Sequence, residues 1–168
     1  MRSGPAQPIP SPIASPTPSS PPIEASSSAE ASSSAEPSAP TTQALGALAE
    51  RAAAGYLEGE GYEIEARNWR GQTGELDIIA RRGSHLVFVE VRARRGDWLS
   101  RPSEAVTLSK QRQVARCADE YLRRRPASAP PFEVSRFDVI GVAVSPPWGA
   151  PQLTFDHEEG AFESPWAF

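Results

Sequence analysis

Two apolar segments separated by a short turn each carry a carboxylate where a buried β-strand normally has none. The first reads GELDIIA from Gly74 to Ala80, and the second reads LVFVEVR from Leu86 to Arg92. Two ionised carboxylates about 5 Å apart repel by roughly 3 kcal/mol at an effective dielectric constant of about 20. A divalent cation is the usual compensation for such a pair. The two segments therefore indicate a functional site between neighbouring strands.

Apolar periodicity and turn residues predict the order helix, three strands, helix, strand. Thr42 is predicted to cap a first helix that reaches about Glu58 or Glu60, and Pro102-Ser103 to open a second helix that reaches about Arg124. The predicted strands lie at 62–66, 76–81, 86–93 and 137–144, with a turn at 68–73, a bulge at Gly141 and an edge strand at 152–156. This order predicts an α/β fold with a mixed central sheet flanked by helices.

Composition divides the 168 residues into three predicted parts. Residues 1–40 are dominated by Pro, Ser and Ala, and we expect them to form a disordered tail because they cannot bury enough apolar surface. Residues 41–145 are the expected folded domain, and residues 146–168 form an acidic C-terminal extension without a basic residue. The single cysteine, Cys117, excludes an internal disulfide and a thiolate zinc site, and we expect it to be a packed core thiol.

Neither a signal peptide nor a membrane span is expected. Only Arg2 is basic near the start, no continuous apolar region follows it, and no apolar run approaches the roughly 18 residues that a spanning helix needs. We therefore expect a cytoplasmic protein that does not bind membranes.

The middle of the chain is strongly basic. From Arg67 to Arg125 there are 14 Lys and Arg against 7 Asp and Glu, although the whole chain has a net charge of −4. Such a region predicts a nucleic-acid partner, and a solvated Arg-rich surface is the alternative. The candidate phosphate-binding residues are Arg94, Arg95, Arg112 and Arg116. Trp69 and Trp98, in predicted loops, are expected either to stack on bases or to pack on the core.

The two carboxylates, Asp77 and Glu90, are the candidate metal ligands. Strand pairing through a short hairpin is expected to bring them to the same end of the sheet, where Mg²⁺ or Mn²⁺ suits a carboxylate pair. Arg92 follows Glu90 on the same face and is positioned to contact phosphate. It cannot act as a general base, because a guanidinium does not lose its proton in proteins.

Two helical residues are further candidates. Lys110, the only lysine, shares a helix face with Val114, Cys117 and Tyr121 and should point toward the sheet. It can carry a proton, or it can be a lysine that extends from the core boundary to solvent. Glu50 lies at the edge of the first helix's apolar stripe, and it faces either the sheet or solvent.

These motifs resemble the YraN-type bacterial family. The resemblance covers roughly residues 44 to 144, and it depends on GELDIIA and LVFVEVR together with Ser109-Lys110-Gln111 and Arg136–Ile140. The family is assigned to the restriction-endonuclease-like, or PD-(D/E)xK, superfamily, which is related to archaeal junction resolvases. The resemblance therefore implies a restriction-endonuclease-like core for this chain.

The resemblance also implies roles for individual residues. Asp77 and Glu90 match the metal-binding acids, and Glu50 matches the first-helix acid of resolvase-like members. Arg92 stands where the superfamily has a lysine that positions or activates water, and Lys110 is a candidate to replace that lysine.

These observations together predict a Mg²⁺-dependent endonuclease that hydrolyses DNA, including branched or repair intermediates. DNA is favoured over RNA as the partner. A catalytically inactive nucleic-acid-binding module of the same fold is the alternative, and a scaffold that binds protein through the acidic ends is a third. The sequence leaves open whether the protein is a homodimer.

Overall fold

A computed structural model describes residues 37–96 and 100–164. Residues 1–36 of the tail predicted at 1–40, and the stacking candidate Trp98, lie outside the described residues. In chain order the described elements are α1 (Thr42–Gly59), β1 (Glu63–Arg70), β2 (Glu75–Arg82), β3 (His85–Arg95), the 3-10 helix η1 (Pro102–Ala105), α2 (Leu108–Arg124), β4 (Val134–Ser145) and β5 (Gln152–Phe162).

The strands form one mixed sheet in the order β1-β2-β3-β4-β5. β3 and β4 are parallel, and the other neighbouring pairs are antiparallel. Because parallel neighbours need a crossover connection, α2 lies between β3 and β4 in the chain and covers one face of the sheet. α1 covers the other face. The predicted α/β class with a mixed sheet flanked by helices is confirmed.

Each of the two α-helices begins at a threonine cap that differs from the predicted start of the helix. Thr41, rather than Thr42, caps α1, and its Oγ1 accepts a hydrogen bond from the Ala44 amide at 3.2 Å. Thr107 caps α2, and its Oγ1 accepts from the Lys110 amide at 3.3 Å. The prediction that α2 opens at Pro102 is wrong, because the chain becomes extended at Val106 between η1 and α2.

The strands are longer than predicted. β1 continues to Arg70, so the turn at 68–73 shortens to Gly71–Gly74, which is closed by a 2.9 Å hydrogen bond from the Gly71 amide to the Gly74 carbonyl. The bulge expected at Gly141 is instead between Phe137 and Val139, where the register against β5 shifts.

The fifth strand is the largest difference from the predicted order. β5 runs to Phe162 rather than to Asp156 and pairs along β4, so part of the segment expected to be an acidic extension belongs to the sheet. Its acids bind the domain itself. Glu158 accepts hydrogen bonds from the amide and hydroxyl of Ser103 at 3.0 and 2.6 Å.

Candidate functional site

Asp77 and Glu90 lie at the open end of the β2–β3 hairpin. The antiparallel ladder runs from Arg82 paired with His85 to Ile78 paired with Val89, and the two acids are the next residue on each strand. At this end Asp77 Oδ2 takes the place of a backbone carbonyl in the ladder, because it accepts a hydrogen bond from the Val91 amide at 2.8 Å. The hairpin thus brings the two carboxylates to one end of the sheet.

Glu90 is the most deeply buried acid of this pair, with 2% of its surface exposed. Its Oε1 lies 3.2 Å from Arg92 Nη2 and 3.2 Å from Lys110 Nζ. Its buried Oε2 has no hydrogen-bond partner within residues 37–96 and 100–164. A buried carboxylate oxygen without a partner is costly, so this atom marks a position where a ligand would stabilise the protein.

Burial raises the pKa of both acids. The pKa of Glu90 rises to about 7, first because of desolvation and then because of the Asp77 charge, while Lys110 and Arg92 oppose the rise. The pKa of Asp77 is also raised, chiefly by burial. The Val91 amide and Lys110 lower it, and Glu50 and Glu75 add to the rise.

Lys110 reaches this site from the first turns of α2. Val114 and Cys117, on the same helix face, are buried against the sheet, so the lysine points to the sheet as its spacing predicts. Glu50 approaches from α1 on the opposite face, and its charge acts on Asp77. The tertiary fold therefore gathers Asp77, Glu90 and their candidate partners from two strands and two helices.

The four arginines proposed to contact phosphate lie on two elements, β3 and α2. Arg94 and Arg95 are at the end of β3, and Arg95 donates a hydrogen bond to the Pro40 carbonyl just before α1. Arg112 and Arg116 are exposed on α2.

Trp69 lies inside β1 rather than in a loop. Its ring meets Tyr121 edge to face with the centroids 5.4 Å apart, and it packs against the core beneath α2. Trp69 was expected either to stack on bases or to pack on the core, and in the structure it packs on the core.

Glu120 is a residue that the sequence analysis missed. It is 7% exposed, and its carboxylate accepts the Gln72 amide at 2.8 and 3.0 Å and the Thr73 amide at 3.4 Å. These bonds lower the pKa of Glu120, and Arg124 lies 2.7 Å away. The spacing of Glu120 in the sequence could have predicted that it faces the sheet, because it follows Cys117, on the apolar face of the same helix, by three positions.

A pocket of about 250 Å³ lies between this turn and α2. Its lining residues are Arg70, Gly71, Gly74, Glu75, Lys110 and Gln113. Within residues 37–96 and 100–164, no group of three or more His, Cys, Asp or Glu is arranged to hold a metal ion. A metal at Asp77 and Glu90 would therefore need oxygen ligands from water or substrate as well.

Comparison with known proteins identifies the family. The model of a family described as "Uncharacterised protein family UPF0102" matches residues 49–142. The chain belongs to this family. The resemblance to the YraN-type family inferred from the motifs is thereby confirmed, and the matched segment contains Glu50, Asp77, Glu90 and Lys110.

Curated relatives carry only the family's description. A UPF0102 protein of Rhodococcus opacus is 45% identical over 119 residues, which cover 71% of this chain and 96% of the relative. One from Symbiobacterium thermophilum is 48% identical over 105 residues, or 62% of this chain and 86% of the relative. In the described ranges, none of the helices is both long and apolar enough to cross a membrane.

Proposed function

We propose that this protein is a Mg²⁺- or Mn²⁺-dependent endonuclease that hydrolyses phosphodiester bonds in DNA, with branched or repair intermediates as its substrates. The observation that carries the proposal is the buried Glu90 carboxylate. Its Oε2 has no hydrogen-bond partner in the part of the chain that the structure describes, although its Oε1 lies 3.2 Å from Lys110 Nζ and the Asp77 charge acts on it. A protein keeps such an uncompensated group most readily where ligand binding compensates it.

The donor set fits a hard divalent cation. Asp77 and Glu90 would hold it through carboxylate oxygens, which Mg²⁺ and Mn²⁺ prefer, and one or two carboxylates are the usual protein share of a Mg²⁺ site. When bound, such an ion neutralises phosphate oxygens and lowers the pKa of a bound water. Glu50 adds a third acidic charge near Asp77.

Two cations of the chain would then act on the substrate. Lys110 can hold or release a proton at Nζ, which suits a group that orients or deprotonates the attacking water. Arg92 presents N–H donors to a phosphate oxygen and stabilises the charge that develops there. Its buried Nε has no hydrogen-bond partner among the described residues, so it retains donor capacity.

The order of elements supports a restriction-endonuclease-like core. A helix, a three-strand meander, a crossover helix and a parallel fourth strand bring the acids to one end of the sheet. Both α1 and α2 begin at this end, and neither has an acid in its first turn. Their positive N-terminal ends favour phosphate and add to Arg94, Arg95, Arg112 and Arg116.

A cleavage assay tests this proposal. Purified protein is incubated with single-stranded, duplex, flap and four-way-junction DNA in Mg²⁺ or Mn²⁺, beside the variants Asp77→Ala and Glu90→Ala. We expect cleavage by the wild type and its loss in both variants. Glu104→Ala, at an exposed acid of η1, is the matched control that keeps activity. Cleavage that persists in both site variants would refute the assignment.

The second candidate is a nucleic-acid-binding module without catalysis. The observation that favours it is that Arg92 and Lys110 both lie 3.2 Å from Glu90 Oε1, so the chain's own cations offset part of the acidic charge. This candidate predicts DNA affinity that falls steeply with salt and no site for a divalent ion. Calorimetric titration with Mg²⁺ or Mn²⁺ separates the two functions, because a site that disappears in Asp77→Asn contradicts the module.

A further inference from the structure

The pocket between the β1–β2 turn and α2 opens beside the candidate metal site. Lys110 belongs to both, because it lines the pocket and lies 3.2 Å from Glu90. A phosphate contacted by Lys110 at the site would therefore place its neighbouring nucleotide at the mouth of this pocket.

The walls of the pocket are preorganised. Glu120 holds the turn through the Gln72 and Thr73 amides, so the backbone of the turn is fixed against α2. A Cβ added to Gly71 would lie 2.3 Å from Glu120 Oε2, and one added to Gly74 would lie 2.5 Å from Gln113 Nε2. The two glycines thus allow the turn and the helix to approach closely, and they leave a wall of bare backbone.

The lining chemistry matches the polar edge of a nucleobase. The Gln113 amide offers both a donor and an acceptor. On the opposite side Arg70 and Glu75 form an exposed ion pair of 3.5 Å, so a donor and an acceptor face the same space. A volume of about 250 Å³ is below the roughly 300–1,000 Å³ of pockets for drug-sized ligands, and it is suited to one nucleotide rather than a base pair.

We propose that this pocket receives one unpaired nucleotide adjacent to the phosphate that is cleaved, so that the protein prefers DNA with a single-stranded segment over fully paired duplex. The inference rests on the proposed nuclease function and adds the structural class of its substrate. Gln113 is the residue that determines this specificity. An unstacked nucleotide reaches such a pocket without the cost of opening a base pair, which explains the preference.

Binding measurements test the inference. Fluorescence anisotropy with Ca²⁺ present compares a blunt duplex with the same duplex carrying a single-stranded flap. Wild type is expected to bind the flap on the order of tenfold more tightly. Gln113→Ala and Gln113→Leu should lose this preference and keep their duplex affinity. Gln72→Ala is the control, because it removes an exposed glutamine side chain from the same turn and keeps the amide bonded to Glu120.

The outcomes separate this inference from the function on which it rests. Equal affinity of wild type for flap and duplex, or a preference unchanged in both Gln113 variants, overturns the pocket assignment while DNA binding itself stands. Absence of any DNA binding by wild type at low salt overturns the proposed function and the inference together.

Discussion

Lys110 Nζ lies 3.2 Å from Glu90 Oε1, across the contact between α2 and β3. The strand itself provides Arg92 two residues after Glu90, and this guanidinium lies at the same distance from the same oxygen. The two cations are not equivalent, since a lysine can exchange a proton and an arginine cannot. α2 thus supplies the lysine that the strand motif lacks and places it beside the Glu90 carboxylate.

Replacement of Lys110 should reduce the rate of DNA cleavage much more than the affinity for DNA. Lys110→Met is expected to lower the cleavage rate by about 10²–10⁴-fold, the usual contribution of a positioned proton-transfer group. Arg92→Lys, which keeps a positive charge beside Glu90, should retain activity. Single-turnover kinetics on the best DNA substrate measures both. A Lys110→Met enzyme that cleaves at the wild-type rate would exclude Lys110 from the reaction.

Glu90 should make metal-free folding stability depend on pH. Its pKa rises from the ordinary 4.5 to about 7 in the folded protein, so below pH 4.5 both states are protonated and no stability is lost. Between pH 4.5 and 7 Glu90 ionises in the unfolded chain while the folded protein keeps the proton, so the folded state loses up to roughly 3 kcal/mol relative to Glu90→Gln. Urea unfolding of both proteins at several pH values measures this difference.

The control for this experiment is Glu104→Gln, at an exposed acid that should track the wild type at every pH. If Glu90→Gln shows the same pH dependence as wild type, Glu90 does not carry the proton.

Binding of a divalent ion should release protons near neutral pH. Because the pKa of Glu90 is about 7, the carboxyl is partly protonated at pH 6.5, and an ion must displace that proton. Mg²⁺ or Mn²⁺ titrations at pH 6.5 in two buffers with different ionisation enthalpies should give different heats, and at pH 9 the difference should vanish. Identical heats in both buffers at pH 6.5 would contradict a metal site at Glu90.

Glu120 should stabilise the turn that precedes the candidate metal site. Glu120→Ala removes the acceptor for the Gln72 and Thr73 amides, so its Tm should be lower than that of wild type. Asp119→Ala is the matched control, because Asp119 is the neighbouring acid on α2 and its carboxylate pairs with Arg123 one turn along the same helix. Thermal unfolding compares the two variants, and an equal loss in both would show that Glu120 has no special role.

The exposed arginines of α2 should set the salt dependence of DNA binding. The double variant Arg112→Gln, Arg116→Gln is expected to reduce the slope of log affinity against log salt by about 2, because each phosphate contact contributes about 0.9. Arg123→Gln, on the same helix but paired with Asp119, should change the slope little. An unchanged slope in the double variant would place the DNA elsewhere.

Local sequence determined most of the elements of this protein. Apolar runs at 76–81 and 86–93 predicted β2 and β3, whose side chains alternate between the two faces of the sheet, and the apolar spacing of α2 placed Lys110 on the face that meets the sheet. The same alternation put Arg92 beside Glu90. These features depend on neighbours in the chain, and side-chain period alone specifies them.

Tertiary structure decided the rest. β5 extends to Phe162 because it pairs along β4. Its Glu158 also accepts a hydrogen bond from the Ser103 amide on η1, so this acid is part of the folded domain. In the sequence Glu120 resembles any other helical acid, because the backbone amide that donates to it, that of Gln72, lies in a turn 48 residues earlier. Sequence alone identified Asp77 and Glu90 as a costly pair of carboxylates. Only the packing of α2 on the sheet placed Lys110 beside one oxygen of Glu90 and left the other without a hydrogen-bond partner in the described ranges, because contacts between distant segments depend on the whole fold.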